Sequence, residues 1–209
     1  MKKKINLIGI GTDGNKSLTQ EAREQIRKST VLIGAERMLQ SVESIRKKEA
    51  GCYTSYRPEE IMTTLEQEKG EEISVLYSGD PGFYSGAKQL IKRLEGSGWE
   101  IRVLPGISSV ICMAARCQVP WEKAALVSLH GTGQNAVYEI CTHEHTFLLL
   151  GGRETAEQFL EKMSWYGLDH LEAAAGRDLS YEEEVFFRGT IRELTPELLR
   201  LFIQKIVVH

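Results

Sequence analysis

Tyr77-Ser78-Gly79-Asp80-Pro81-Gly82-Phe83-Tyr84-Ser85 follows the mainly apolar run 73–77 and precedes a helical pattern that begins at Ser85. Leu104-Pro105-Gly106-Ile107-Ser108-Ser109 stands in the same way between the run 100–104 and an apolar helix. A third loop, Gly9-Ile10-Gly11, ends the strand pattern that begins at Ile5. Three units of strand, glycine loop and helix predict an α/β fold with a largely parallel sheet and helical crossovers.

These loops also predict a ligand site. Small residues allow a ligand to approach the backbone closely. The start of the following helix leaves N–H groups unpaired and carries a partial positive charge, which favours a carboxylate or a phosphate. The sequence therefore predicts that a ligand with such a group binds at the glycine loops.

Hydrophobic periodicity predicts the remaining elements and a domain boundary. The alternation of strands and helices pauses at residues 117–121, so we place one domain at 1–116 and a second at 117–209. The first domain is expected to hold a further strand at 30–34 and helices from 18 onward and at 35–48, 58–69, 85–94 and 108–116. The second is expected to hold strands at 125–129, 146–150, 171–175, 184–189 and 205–209 and a helix at 154–166.

Composition excludes several classes of protein. The 209 residues carry a formal net charge of −3 with interspersed signs, and no long basic stripe is present to bind nucleic acid. Lys2–Lys4 precede an apolar stretch of only one strand's length, which is neither a signal peptide nor a membrane span. The four cysteines show no CxxC or Cys/His ligand spacing and indicate reduced thiols. We expect a cytoplasmic protein that binds neither nucleic acid nor a membrane.

The pair His143 and His145 invites a metal interpretation, because the two imidazoles flank Glu144. No third ligand stands nearby, however, and a closed metal site requires more donors. The sequence predicts no protein-bound metal.

Taken together, the motifs resemble those of the tetrapyrrole methylases, which use S-adenosylmethionine on corrin and porphyrin precursors. The resemblance runs nearly end to end, and within the family it is greatest to members that methylate C5 of a late precorrin. The motifs that carry it occur in the family's order and approximate spacing: Gly9-Ile10-Gly11, Ser78-Gly79-Asp80-Pro81, Pro105-Gly106-Ile107-Ser108-Ser109, Leu129-His130-Gly131 and Leu179-Ser180-Tyr181.

The resemblance implies a mostly parallel sheet in the N-terminal domain, a mixed sheet in the C-terminal domain, a ligand cleft between the domains and a homodimer. It implies S-adenosylmethionine as methyl donor and a late precorrin as substrate, with or without chelated cobalt. A separate enzyme that methylates C15 is an implied partner. The residues implied for methyl-donor binding are Gly9, Gly11, Ser78, Gly79, Asp80, Tyr84, Ser108, Ser109, Leu129, His130, Ala173 and Ala174.

Asp80, Tyr84 and His130 are also candidates for catalytic proton transfer, on loop position alone. Each has a structural alternative, since Asp80 before proline is a good turn residue, Tyr84 a cavity wall and His130 a packing residue. Asp13 is a weaker candidate of the same kind. Five arginines near predicted element ends are candidates for binding substrate carboxylates: Arg37, Arg57, Arg116, Arg153 and Arg177.

Two alternative functions remain open on the sequence. The first is a methylase of the same fold that acts on another precorrin, uroporphyrinogen, diphthine or ribosomal RNA. The second is a non-catalytic nucleotide-binding regulatory module, because Gly9-Ile10-Gly11-Thr12-Asp13-Gly14 matches the dinucleotide fingerprint in spacing. A dinucleotide fingerprint leaves the loops at Gly79 and Gly106 unexplained.

Overall fold

The chain forms two compact units, Met1–Ser109 and Val110–His209. The computed structural model describes residues 3–68, 70, 72–129, 134–150, 153–194 and 205–208. The sequence predicts a boundary between residues 116 and 117, whereas the two units divide after Ser109. The first position is near the end, and the second at the start, of the helix Ser109–Cys117.

The first unit contains the predicted parallel sheet. Its five strands lie in the order β3-β2-β4-β1-β5, and every neighbouring pair is parallel. The strands are β1 (Lys4–Gly9), β2 (Val31–Gly34), β3 (Gly51–Thr54), β4 (Glu72–Tyr77) and β5 (Glu100–Leu104), and the helices are α1 (Gln20–Lys28), α2 (Glu36–Ser41), α3 (Pro58–Gln67) and α4 (Ala87–Leu94). Helix α5 (Ser109–Cys117) begins at the last residue of this unit.

Both faces of this sheet are covered. Ile5 and Leu7 of β1 pack in one apolar cluster with residues of α3 and α4. Ile8 of the same strand packs in a second cluster with residues of α1 and α2. Strands that are buried on both faces read as nearly continuous apolar runs, which is why β1, β2 and β4 are visible in the sequence.

Helix α2 is shorter than the predicted 35–48. It ends at Ser41, whose hydroxyl donates a hydrogen bond to Met38 O at 2.8 Å, and a side chain bonded in this way competes with the helical ladder. Val42 and Ile45 stay buried through turns, so the apolar spacing continues after the helix has ended.

The second unit contains a mixed sheet in the order β6-β7-β10-β8-β9. The β6–β7 pair is parallel, and the other pairs are antiparallel. The strands are β6 (Ala125–Ser128), β7 (Thr146–Leu149), β8 (Glu172–Arg177), β9 (Val185–Thr190) and β10 (Lys205–Val208), and the helices are α6 (Ala136–Thr142) and α7 (Arg153–Trp165), with a short 3-10 helix at Ile191–Glu193. The sequence did not predict α6, which Asn135 caps by accepting a hydrogen bond from Tyr138 N–H.

Candidate functional site

Three loops meet at the carboxyl edge of the first sheet. Gly11 and Gly79 pair as an antiparallel bridge, with N···O distances of 2.7 and 3.2 Å. A Cβ atom at Gly9 would lie 2.6 Å from Gly79 O and 2.7 Å from Gly106 N. The loops that follow β1, β4 and β5 are therefore in backbone contact, and a side chain at Gly9 would separate them.

The Asp80 carboxylate joins two of these loops. Its Oδ1 accepts a hydrogen bond from Gly82 N–H at 2.8 Å, within the β4 loop. Its Oδ2 accepts one from Gly106 N–H at 3.0 Å, in the β5 loop. Hydrogen bonds to an ionised acceptor are stronger than neutral ones, so this side chain orders the loop cluster.

The other predicted site residues of the first unit lie on the same loops. Gly79 has φ +68°, and a Cβ atom there would lie 3.6 Å from Ser108 Cα. Tyr84 has φ +45° and is 44% exposed, with its ring edge-on to Phe83 at 4.9 Å between centroids. Ser78 is exposed, whereas Ser108 and Ser109 are buried.

Three predicted site residues of the second unit lie in or next to strands. Leu129 follows β6, and its N–H donates to Leu149 O at 2.8 Å. Ala173 and Ala174 are buried in β8, which lies between β10 and β9. His130 lies outside the described residues.

A cavity of about 410 Å³ opens in the first unit beside the β4 loop. Ser78 and Tyr84 line it, together with Tyr77 at the end of β4 and Arg57 at the start of α3. Most of the other lining residues are apolar or small: Ala35, Met38, Ser55, Tyr56, Pro58, Ile61, Val75, Leu76, Phe83, Ser85, Gly86 and Gln89. The sequence did not predict this cavity, because its wall combines four separate segments.

Tyr77 is the unusual member of this lining. The residue is 8% exposed, and its buried hydroxyl has no hydrogen-bond partner within the described structure. Burial raises the pKa of this phenol well above its usual range. The hydroxyl is therefore a neutral donor at any physiological pH.

The weaker polar candidates have partners of their own. Asp13 Oδ1 accepts hydrogen bonds from Ser17 N–H at 2.8 Å and from Ser17 Oγ at 2.7 Å, which is ordinary turn chemistry. Arg116 pairs with Glu184 at 2.8 Å, and Arg177 lies 3.2 Å from Asp178. Arg153 lies in α7, but its side chain is outside the described part of the chain.

Neither a metal cluster nor a membrane-spanning helix is found in the described ranges. They contain no group of three His, Cys, Asp or Glu side chains placed to hold a metal ion. His143 instead has its Nδ1 3.1 Å from Glu139 O, at the end of α6. No helix within the described ranges has the length and apolar character to cross a membrane.

The family model for Tetrapyrrole (Corrin/Porphyrin) Methylases matches residues 4–195. The chain belongs to this family. The match extends over both units, and it includes all three glycine loops of the first sheet as well as β8 and β9 of the second.

Curated relatives carry different positions of methylation in their names. A Sinorhizobium enzyme named precorrin-6Y C(5,15)-methyltransferase [decarboxylating] is 34% identical over 127 residues, covering 61% of this chain but 30% of that enzyme. A Methanocaldococcus jannaschii protein named probable cobalt-precorrin-7 C(5)-methyltransferase is 26% identical, covering 75% of each chain. The cobalt-precorrin-4 C(11)-methyltransferase of that organism is 22% identical, covering 97% of this chain and 85% of its own length.

Solved structures confirm the fold. The methyltransferase CobJ superposes with a TM-score of 0.81 at 19% identity, over 99% of this chain and 93% of that one. A uroporphyrin-III C-methyl transferase from Thermus thermophilus, complexed with S-adenyl homocysteine, superposes with a TM-score of 0.74 at 16% identity, over 98% and 96% of the two chains. The predicted α/β fold of the tetrapyrrole methylases is correct.

Proposed function

We propose that the chain is an S-adenosylmethionine-dependent methyltransferase of cobalamin biosynthesis that methylates C5 of a late precorrin, converting cobalt-precorrin-6B to cobalt-precorrin-7. Membership of the tetrapyrrole methylase family is the observation that carries the proposal. The C5 position rests on the names of two relatives, one 34% and one 26% identical to this chain.

The loop cluster of the first unit suits a methyl donor. At Gly9 and Gly106 a side chain would collide with neighbouring backbone, so both positions present bare peptide groups. We assign Gly9, Gly11, Ser78, Gly79, Asp80, Tyr84, Ser108 and Ser109 to binding of the donor. The contributions of Leu129, His130, Ala173 and Ala174 stay a prediction from the resemblance.

The donor supplies an electrophilic methyl group on sulfur, and the reduced ring supplies a carbon nucleophile. The protein's task is to align the two, which contributes up to about 7–11 kcal/mol in favourable intramolecular models. We assign Asp80 to ordering the loops, since both of its oxygens accept backbone N–H groups. Tyr84, exposed at the cavity, is the first candidate in the described chain to accept or relay the proton from the methylated carbon.

The first experiment is calorimetric titration with S-adenosylhomocysteine, with NAD and ATP as controls. Micromolar affinity for the homocysteine compound alone, roughly −8 kcal/mol, is the expected result. Preference for NAD or ATP would favour the nucleotide-binding alternative instead.

The position of methylation requires a second experiment. The protein is incubated anaerobically with cobalt-precorrin-6B, or its cobalt-free form, and a methyl donor labelled with carbon-13. We expect label at C5 by NMR. Label at C11 after incubation with cobalt-precorrin-4 would support a second candidate function, methylation at C11. The long alignment with the C(11) enzyme favours this second candidate.

A further inference from the structure

We propose that Tyr77 and Arg57 together recognise one carboxylate of the tetrapyrrole in the 410 Å³ cavity of the first unit. Tyr77 Oη donates a hydrogen bond to that carboxylate, and the Arg57 guanidinium supplies the opposite charge. The class of ligand rests on the proposed function, whereas the assignment of these two residues rests on the cavity.

The buried hydroxyl of Tyr77 calls for a partner. Buried polar groups in folded proteins are nearly always hydrogen-bonded, and an unsatisfied hydroxyl costs free energy that a phenylalanine would not. The described protein offers Tyr77 Oη no partner, although Tyr77 is one of the residues that line the cavity. An acceptor on a bound ligand would satisfy the hydroxyl.

Arg57 is available to pair with a negatively charged group of a ligand. Among the described residues that line the cavity, Arg57 alone is charged. Its nearest carboxylate, Glu60, is 3.8 Å away, and both side chains are more than half exposed. Such a long, exposed ion pair contributes little, so the guanidinium can bind a second anion at small cost.

The remaining lining indicates how the carboxylate is presented. Met38, Ile61, Leu76 and Phe83 form apolar wall, which suits the aliphatic arm of an acetate or propionate side chain. A neutral phenol donor and a cation at one cavity complement a carboxylate in charge and in hydrogen bonding. We infer that this cavity takes one acidic arm at the edge of the macrocycle.

The test compares two corrins in direct titrations of the whole protein. Dicyanocobyrinic acid is a polycarboxylate, and dicyanocobinamide carries amides in place of the acids. We expect wild type to prefer the acid, and both Tyr77→Phe and Arg57→Gln to bind it about tenfold more weakly, with cobinamide affinity changed by less than about twofold. Arg57→Gln should also reduce the salt dependence of binding.

Matched variants remove the same groups elsewhere in the first unit. Tyr53→Phe deletes a phenol that bonds Glu68, and Arg93→Gln deletes a guanidinium that pairs with Glu59. Neither residue lines the cavity, so neither variant should change the affinity for either corrin. Tyr77→Phe should keep or raise the melting temperature of wild type, because its hydroxyl has no partner among the described residues and its burial costs free energy.

The outcomes separate the two claims. Wild-type binding of the acid with unchanged affinity in Tyr77→Phe and Arg57→Gln would overturn this inference and leave the proposed function intact. Failure of wild type to bind the acid would overturn the tetrapyrrole substrate and this inference together. A lowered melting temperature in Tyr77→Phe would show a structural role for the hydroxyl and overturn its assignment.

Discussion

At Gly9 the neighbouring loops leave no room for a side chain. A Cβ atom there would meet Gly79 O, Gly106 N and Pro81 Cδ at 2.6–2.7 Å, and two of these atoms belong to backbone. We expect Gly9→Ala to lower the free energy of unfolding by about 1–3 kcal/mol and to weaken S-adenosylhomocysteine binding. Urea denaturation and calorimetry measure the two effects.

Gly86→Ala is the control for that substitution. A Cβ atom at Gly86 would make only ordinary contacts at 3.9 Å, and its φ of −68° suits any residue. Its unfolding midpoint should equal or exceed that of wild type. Equal stability of Gly9→Ala and wild type would contradict the close approach of the three loops.

Asp80 connects two loops through two hydrogen bonds, so the loss of stability on substitution should depend on how many acceptor oxygens remain. Asp80→Ala leaves Gly82 N–H and Gly106 N–H without this acceptor, and we expect it to cost about 2–4 kcal/mol of stability. Asp80→Asn keeps one acceptor and should cost less. If Asp80→Ala lost methyl transfer but kept wild-type stability in urea, a catalytic role would be favoured over a structural one.

At the scale of single residues, the sequence predicts which residues form the loops, but it does not predict the contacts between the loops. Gly9, Gly79 and Asp80 are recognisable because glycine, aspartate and proline mark turns wherever they cluster. The hydrogen bond from Gly106 N–H to Asp80 joins residues that are 26 positions apart, so no local sequence pattern predicts it. That the Tyr77 hydroxyl finds no partner among the described residues depends on every side chain around it, so only the folded structure reveals this.

Among the elements, β10 occupies the central position of the second sheet. It pairs with β7 on one side and with β8 on the other, so its backbone joins the two halves of that sheet. We expect Val207→Pro to remove a ladder hydrogen bond at a central position and to cost about 3 kcal/mol or more. Loss of the second unit's signals from an NMR spectrum would show that this unit has unfolded.

Val207→Thr is the matched control for β10, because threonine keeps the backbone N–H and a branched side chain. The control should retain the wild-type spectrum. A Val207→Pro variant with an unchanged spectrum and unchanged unfolding midpoint would contradict the central position of this strand.

The turn before β9 predicts a pH dependence. Asp178 and Ser180 have positive φ there, and Glu184 accepts hydrogen bonds from Ser180 N–H at 2.6 Å and from Arg116 at 2.8 Å. Burial alone would raise the pKa of the Glu184 carboxyl, but these hydrogen bonds outweigh burial, and the pKa is lowered. A lowered folded-state pKa stabilises the protein above the ordinary value of about 4.3, and this stability is lost as pH falls through the folded-state pKa.

Glu184→Gln tests this dependence. The variant should be less stable than wild type at pH 7, and the difference should narrow as the pH falls below about 4. Exposed Glu183 offers the control, since Glu183→Gln should match wild type at both pH values. A pH-independent difference for Glu184→Gln would indicate a steric effect instead of a charge effect.

The strands buried on two faces were predicted, whereas β3 and α6 were not. The edge strand β3 is four residues long and mostly exposed, so no apolar run marks it. Helix α6 has only seven residues, and its buried Ala136 and Ile140 are too few to establish a period. Without an apolar run or a repeating apolar spacing, neither β3 nor α6 is visible in the sequence.

At the scale of the whole molecule, the homodimer and the separate C15 enzyme stay predictions from the family resemblance. Light scattering after gel filtration should give twice the chain mass of 23.6 kDa if the dimer forms. Raising the salt concentration should leave that mass unchanged if apolar contacts hold the dimer. A mass of 23.6 kDa at micromolar protein would contradict it.

The position of β10 also bears on how the protein folds during translation. All five strands of the first sheet have been synthesised by Leu104, so that unit can fold while the ribosome is still making the second. The second sheet cannot close until residues 205–208 have emerged, and until then β7 and β8 present unpaired edges to the cell. Nascent chains stalled before residue 205 should therefore be preferred clients of chaperones.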